Sequence, residues 1–143
     1  MQRKIYNEIL KWKNNDITKP LMVIGSRQIG KTYIIEEFCK NEFNNYIEIN
    51  LQKTPNVIKI FEEKATPEEK FYKMLIEINK NFNVDTDIIF FDEVQESEQL
   101  ISDLKFFCES EKPYKIIVSL SKTINKKMTL WSVNSHNATS CHV

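Results

Sequence analysis

Apolar and polar positions alternate between two periods along the chain. Ile5, Tyr6, Ile9, Leu10 and Trp12 recur at helical spacing, so residues 3–13 read as an amphipathic helix, and the polar stretch from Asn14 to Pro20 reads as a loop. Leu21–Ile24 is a short uninterrupted apolar run between Pro20 and Gly25, the pattern of a strand covered on both faces. Helical spacing returns with Ile34, Ile35, Phe38, Cys39 and Phe43, and Tyr46–Leu51 then alternates as a strand that Thr54-Pro55-Asn56 punctuates. Thr66-Pro67-Glu68-Glu69 combines a capping hydroxyl, a proline at the first helical position and an acidic third position. It opens a helix carrying Phe71, Met74, Leu75, Ile78 and Phe82. Asp87–Phe91 is another buried-strand run, Ser97 caps a helix with Leu100, Ile101, Leu104, Phe107 and Cys108 on one face, and Lys115–Ser119 is a fourth strand. Strands alternating with helices predict an α/β three-layer sandwich: a mainly parallel sheet, right-handed crossovers and helices on both faces.

Composition sharpens this picture at several points. With 143 residues, 41% hydrophobic, the chain suffices for one core, and 20 basic against 20 acidic side chains exclude an extended charged tail. No apolar run is long enough to span a bilayer, and the N-terminus lacks the apolar centre of a signal peptide, so the chain reads as soluble, cytoplasmic and without a membrane partner. Cys39, Cys108 and Cys141 show no CxxC spacing, which favours buried thiols over a disulfide framework or a zinc site. The charge pattern also divides the chain. All 40 charged side chains fall in residues 1–127, which form the expected core, and residues 128–143 carry none and are expected to be a tail, either disordered or foreign to the reading frame.

Glycine usage adds a further one. Average usage of about 7% predicts roughly ten glycines in a chain of this length. There are two, Gly25 and Gly30, and both lie in one loop. Gly25-Ser26-Arg27-Gln28-Ile29-Gly30-Lys31-Thr32 matches GxxxxGK[ST] directly after a strand and before a helix, the context in which backbone N–H groups converge on phosphate oxygens. Residues 25–32, with Tyr33 beside them, are therefore expected to bind a nucleotide. Lys31 would reach the β- and γ-phosphates and serve catalysis, and the Thr32 hydroxyl would hold Mg²⁺. Asp92 and Glu93 follow the strand Ile88–Phe91, where a parallel sheet opens its ligand crevice. Asp92 is expected on the metal and Glu93 as the base that activates water, a pairing that suits hydrolysis better than transfer to an acceptor. Ser119 and Ser121, just beyond the fourth strand, would reach the γ-phosphate or the attacking water, against an alternative as plain turn residues.

GSRQIGKT at 25–32, YIEINL with the downstream VIKIFEE, IIFFDEVQ at 88–95, DLKFFCE at 103–109 and KIIVS together resemble the prokaryotic P-loop ATPases of the AAA type, the group in which an AAA domain precedes a DUF4143 domain. The resemblance implies ATP and Mg²⁺ as ligands, a central first strand, Gln95 near the nucleotide, and a chain two to three times longer. It stops near residue 125, so a fifth core strand is expected to be missing, leaving the sheet incomplete on the C-terminal side and the first strand with an exposed edge. Arginine is scarce: after Arg27 there is none to stabilise a phosphoryl-transfer transition state, so a partner protein or a second copy would supply the cation, a lysine would substitute, or the chain is incomplete. The leading expectation is an ATP-binding, Mg²⁺-dependent ATPase. Its rivals are a non-hydrolysing nucleotide-binding or interaction module and an inactive truncated remnant. A nucleic-acid motor ranks below these, because zero net charge leaves no basic footprint.

Overall fold

The computed structural model describes residues 2–15, 17–25, 30–121 and 139–142. The elements run α1 (Gln2–Asn15), β1 (Leu21–Gly25), α2 (Lys31–Glu42), β2 (Tyr46–Asn50), α3 (Pro55–Phe61), α4 (Pro67–Ile78), β3 (Ile88–Asp92), α5 (Glu98–Glu109), β4 (Lys115–Ser121) and β5 (Thr139–His142). The strands form one sheet in the order β2-β3-β4-β1-β5, and each neighbouring pair is parallel.

Residues alternate across the strands, and the two faces bury different helices. Leu21, Val23, Ile88, Phe90 and Ile117 pack with Ile5, Ile9 and Trp12 of α1 and with Ile34, Ile35 and Phe38 of α2. Met22, Ile24, Ile47, Ile49, Ile89, Phe91, Ile116, Val118 and Leu120 face α3, α4 and α5 through Phe61, Phe71, Met74, Leu104 and Phe107. The strands β1 and β3, read from uninterrupted apolar runs, are buried at every residue. The expected three-layer α/β sandwich is the fold.

Four expectations shift. Thr54-Pro55-Asn56, read as punctuation, begins α3: Pro55 occupies its first turn, where a missing N–H is harmless, and Val57, Ile60 and Phe61 bury one side of a helix too short to show periodicity. Phe82 lies outside α4, which ends at Ile78 with Asn79 in the left-handed conformation at φ 55°; the ring returns from the following loop to meet Phe71 at 5.4 Å and Tyr114 at 5.8 Å. The fourth strand extends to Ser121, so Ser119 and Ser121 belong to it and do not follow it.

The fourth shift concerns the sheet's edge. Thr139–His142 runs parallel to β1 from Leu21 to Ile24, so β1 has a neighbour on both sides and the expected missing strand and exposed edge are corrected. Pairing through the backbone requires no apolar side chains, which is why the polar segment TSCH carried no strand signal. The rest of the expected tail, residues 128–138 and 143, lies outside the described residues.

Candidate functional site

The sheet's connections leave β1 and its neighbour β4 on opposite sides. From β1 the chain passes into α2 on one face, and from β3 through α5 to β4 on the other. A crevice opens at the carboxyl ends of the strands where connections diverge in this way. Gly25, Asp92 and Ser121 end β1, β3 and β4 there.

Gly30 caps α2 at φ 74° and ψ 22°, a left-handed conformation that a side chain would disfavour. Having no side chain, it gives no capping bond, and the first-turn N–H groups of α2 and the positive helix end face the crevice. Lys31 opens the helix. It is 2% exposed, and its Nζ donates to the carbonyl oxygens of Gly25 at 3.0 Å and Leu120 at 2.7 Å, so the ammonium sits over the ends of β1 and β4. Thr32 Oγ1 donates to Asp92 Oδ2 at 3.1 Å. The other carboxylate oxygen of Asp92 accepts from Ser119 Oγ, in keeping with the register that sets Phe91 beside Val118. Two hard oxygen donors on adjoining elements, one hydroxyl and one carboxylate, are the donor set Mg²⁺ takes when phosphate oxygens and water complete its shell.

Glu93 leaves β3 in the left-handed conformation at φ 56° and ψ 49°. A single helical turn over Val94–Glu96 follows, anchored by fully buried Val94. The turn folds Gln95 back so that its Nε2 donates to Glu93 Oε2, and Ser121 Oγ donates to Glu93 Oε1 at 3.2 Å and Oε2 at 2.9 Å. The site's second row of carboxylates was not singled out in the sequence. Glu48 of β2 hydrogen-bonds Glu36, one turn beyond Thr32 on α2; burial foremost, then that hydrogen bond and the charges of Glu36 and Asp92, push its carboxyl up to about 8, against the lowering effect of Lys40. The alternation of YIEINL contained the signal, because it puts Glu48 on the α2 face.

Lys31, Thr32, Asp92, Glu93, Gln95 and Ser119 are thus brought together, with Gly25 and Gly30 at the ends of the cradle. Tyr33 is 61% exposed on the outer side of the first α2 turn and makes none of these contacts. Ser26, Arg27, Gln28 and Ile29 lie outside the described residues. Ser119, expected at the γ-phosphate or the attacking water, donates to the Asp92 carboxylate. Ser121, expected at water or phosphate, holds Glu93.

The family model for the AAA domain matches residues 18–141. The chain belongs to this family. It is a P-loop domain of the AAA type, a nucleotide-binding fold. Among solved structures, this AAA domain is similar to a chain of C. elegans PCH-2, at 11% identity and a TM-score of 0.48, over 99% of this chain and 39% of that one. No curated protein matches its sequence. No helix among the described residues is long and apolar enough to cross a membrane.

Proposed function

We propose that this AAA domain binds ATP with Mg²⁺ and hydrolyses it to ADP and phosphate. The observation that carries the reading is the contact of Thr32 Oγ1 with Asp92 Oδ2 at 3.1 Å, beside the α2 N-terminus and one residue from Glu93. Residues 25–32 bind the phosphates in this reading. The first-turn N–H groups and Lys31 bind phosphate oxygens, and Thr32 and Asp92 hold Mg²⁺, with Ser119 orienting the Asp92 carboxylate. Mg²⁺, when bound, neutralises charge on the β- and γ-phosphates. Glu93 accepts a proton from water as the water oxygen bonds to the γ-phosphorus and the bond to the bridging oxygen breaks, releasing ADP.

Phosphate release from Mg²⁺·ATP by the wild type and by Glu93→Gln tests this. Loss of a general base lowers turnover by about 10²–10⁴-fold while ATP still binds; equal turnover in the two proteins would remove Glu93 from the chemistry. The absence of arginine after Arg27 favours one second reading, a domain that binds nucleotide and hydrolyses it only when another copy or a partner protein contributes the cation. A prokaryotic source and a partnering DUF4143 domain, which rest on the resemblance of GSRQIGKT and DEVQ, belong to the same proposal.

A further inference from the structure

Gln95 carries a feature that the base assignment leaves unexplained. Its Nε2 donates to Glu93, but its Oε1 is buried and without a hydrogen-bond partner among the described residues. A buried acceptor left unpaired costs about 1–3 kcal/mol, and folds rarely keep one without a donor arriving in some working state. The surroundings narrow what that donor is. The amide is held by the turn that follows Glu93 in its left-handed conformation, and Ser121 Oγ fixes the same carboxylate from β4, so the Gln95 amide and the Glu93 carboxylate lie side by side at the carboxyl end of β3. A donor meeting both must offer two hydrogens from one small centre.

We infer that Gln95 is the water-orienting residue of the reaction, its Oε1 accepting one hydrogen of the attacking water while Glu93 accepts the other. The inference rests on the ATPase reading above. The two acceptors differ in the way the step requires. A carboxylate takes the proton that water loses as its oxygen bonds to the γ-phosphorus and ADP departs with the electrons of the broken bond; a neutral amide oxygen takes none and only fixes the direction of the second O–H. The amide's other end donates to Glu93 and so keeps the carboxylate turned toward the same water. Ser121 acts as a positioning residue through Glu93.

The test compares steady-state ATP hydrolysis, KM and ADP affinity for the wild type, Gln95→Met and Gln95→Ala, with thermal melts of each. Gln95→Met keeps side-chain length and lacks the acceptor, which guards against a loss caused by unfolding alone. Misorientation of a bound nucleophile costs about 10²-fold, and that loss is expected in kcat for both variants below their melting temperatures, with KM and ADP affinity unmoved. A loss confined to KM, or one that tracks a lowered melting temperature, would overturn the inference in favour of a structural role. Equal kcat in Gln95→Met and wild type would overturn it while leaving the ATPase reading intact. No phosphate release from a folded wild type that binds ATP would overturn both.

Discussion

Glu93 is held where a glutamate has little intrinsic reason to be. Its left-handed φ of 56° costs about 1–2 kcal/mol against an ordinary conformation, and the residue is 6% exposed. Ser121 and Gln95 offset part of that cost, and the strained turn aims Gln95 back at the carboxylate. A short Asp-Glu pair after an apolar run reads in the sequence as a metal ligand and a base, but the turn and the serine partner were not legible, because they depend on β4 lying beside β3. Glu48 shows the same limit more sharply. Its carboxyl rises from 4.5 to about 8, with burial the largest cause. The folded state therefore binds an extra proton between these values; its contribution to stability is complete below about 4.5 and lost as pH rises through about 8. Glu48→Gln keeps a hydrogen-bonding group without the charge, so its melting temperature relative to wild type is expected to be higher at about pH 9 than at about pH 5. An offset independent of pH would contradict the assignment.

Elements were legible where their burial is simple. β1 and β3 are buried at every position, and their continuous apolar runs announce it; α4 and α5 carry hydroxyl caps that accept from Glu69 N and Leu100 N at 3.1 Å, as Thr66 and Ser97 indicated. α3 was missed because a helix of seven residues shows too little of its period. Between these helices lies a contact no pattern could reveal, the ion pair of Lys70 Nζ with Asp103 Oδ2 at 2.6 Å, with side chains 3% and 8% exposed. Lys70 also donates to Phe61 O at 3.0 Å, and Asp103 accepts from Gln99 at 3.0 Å, so the pair ties α3, α4 and α5 together. Removing one partner strands the other charge in the interior. Lys70→Met is expected to destabilise the domain by about 3–5 kcal/mol in urea unfolding, and Lys70→Met with Asp103→Leu to recover most of the loss. A loss below about 1 kcal/mol in the single variant would show the pair to be solvated and unimportant.

For the molecule as a whole, the order β2-β3-β4-β1-β5 makes one face of the crevice from α2 and the floor from the ends of β1, β3 and β4. Residues sixty or more apart in the chain are thereby brought together at one site, as when Lys31 meets the carbonyl of Leu120 and Thr32 meets Asp92. The alternation of strands and helices predicted the layers, but the polar fifth strand was invisible to it. This crevice is expected to bind a nucleotide through Lys31 together with a metal ion held at Thr32 and Asp92. The affinity of the wild-type protein for ATP and ADP, with and without Mg²⁺ and beside Lys31→Ala checked for its fold by circular dichroism, tests it most directly. Tight binding that depends on Mg²⁺ in the wild type and disappears in folded Lys31→Ala is the predicted result. Equal affinity in the two proteins, or no binding by a folded wild type, would contradict it.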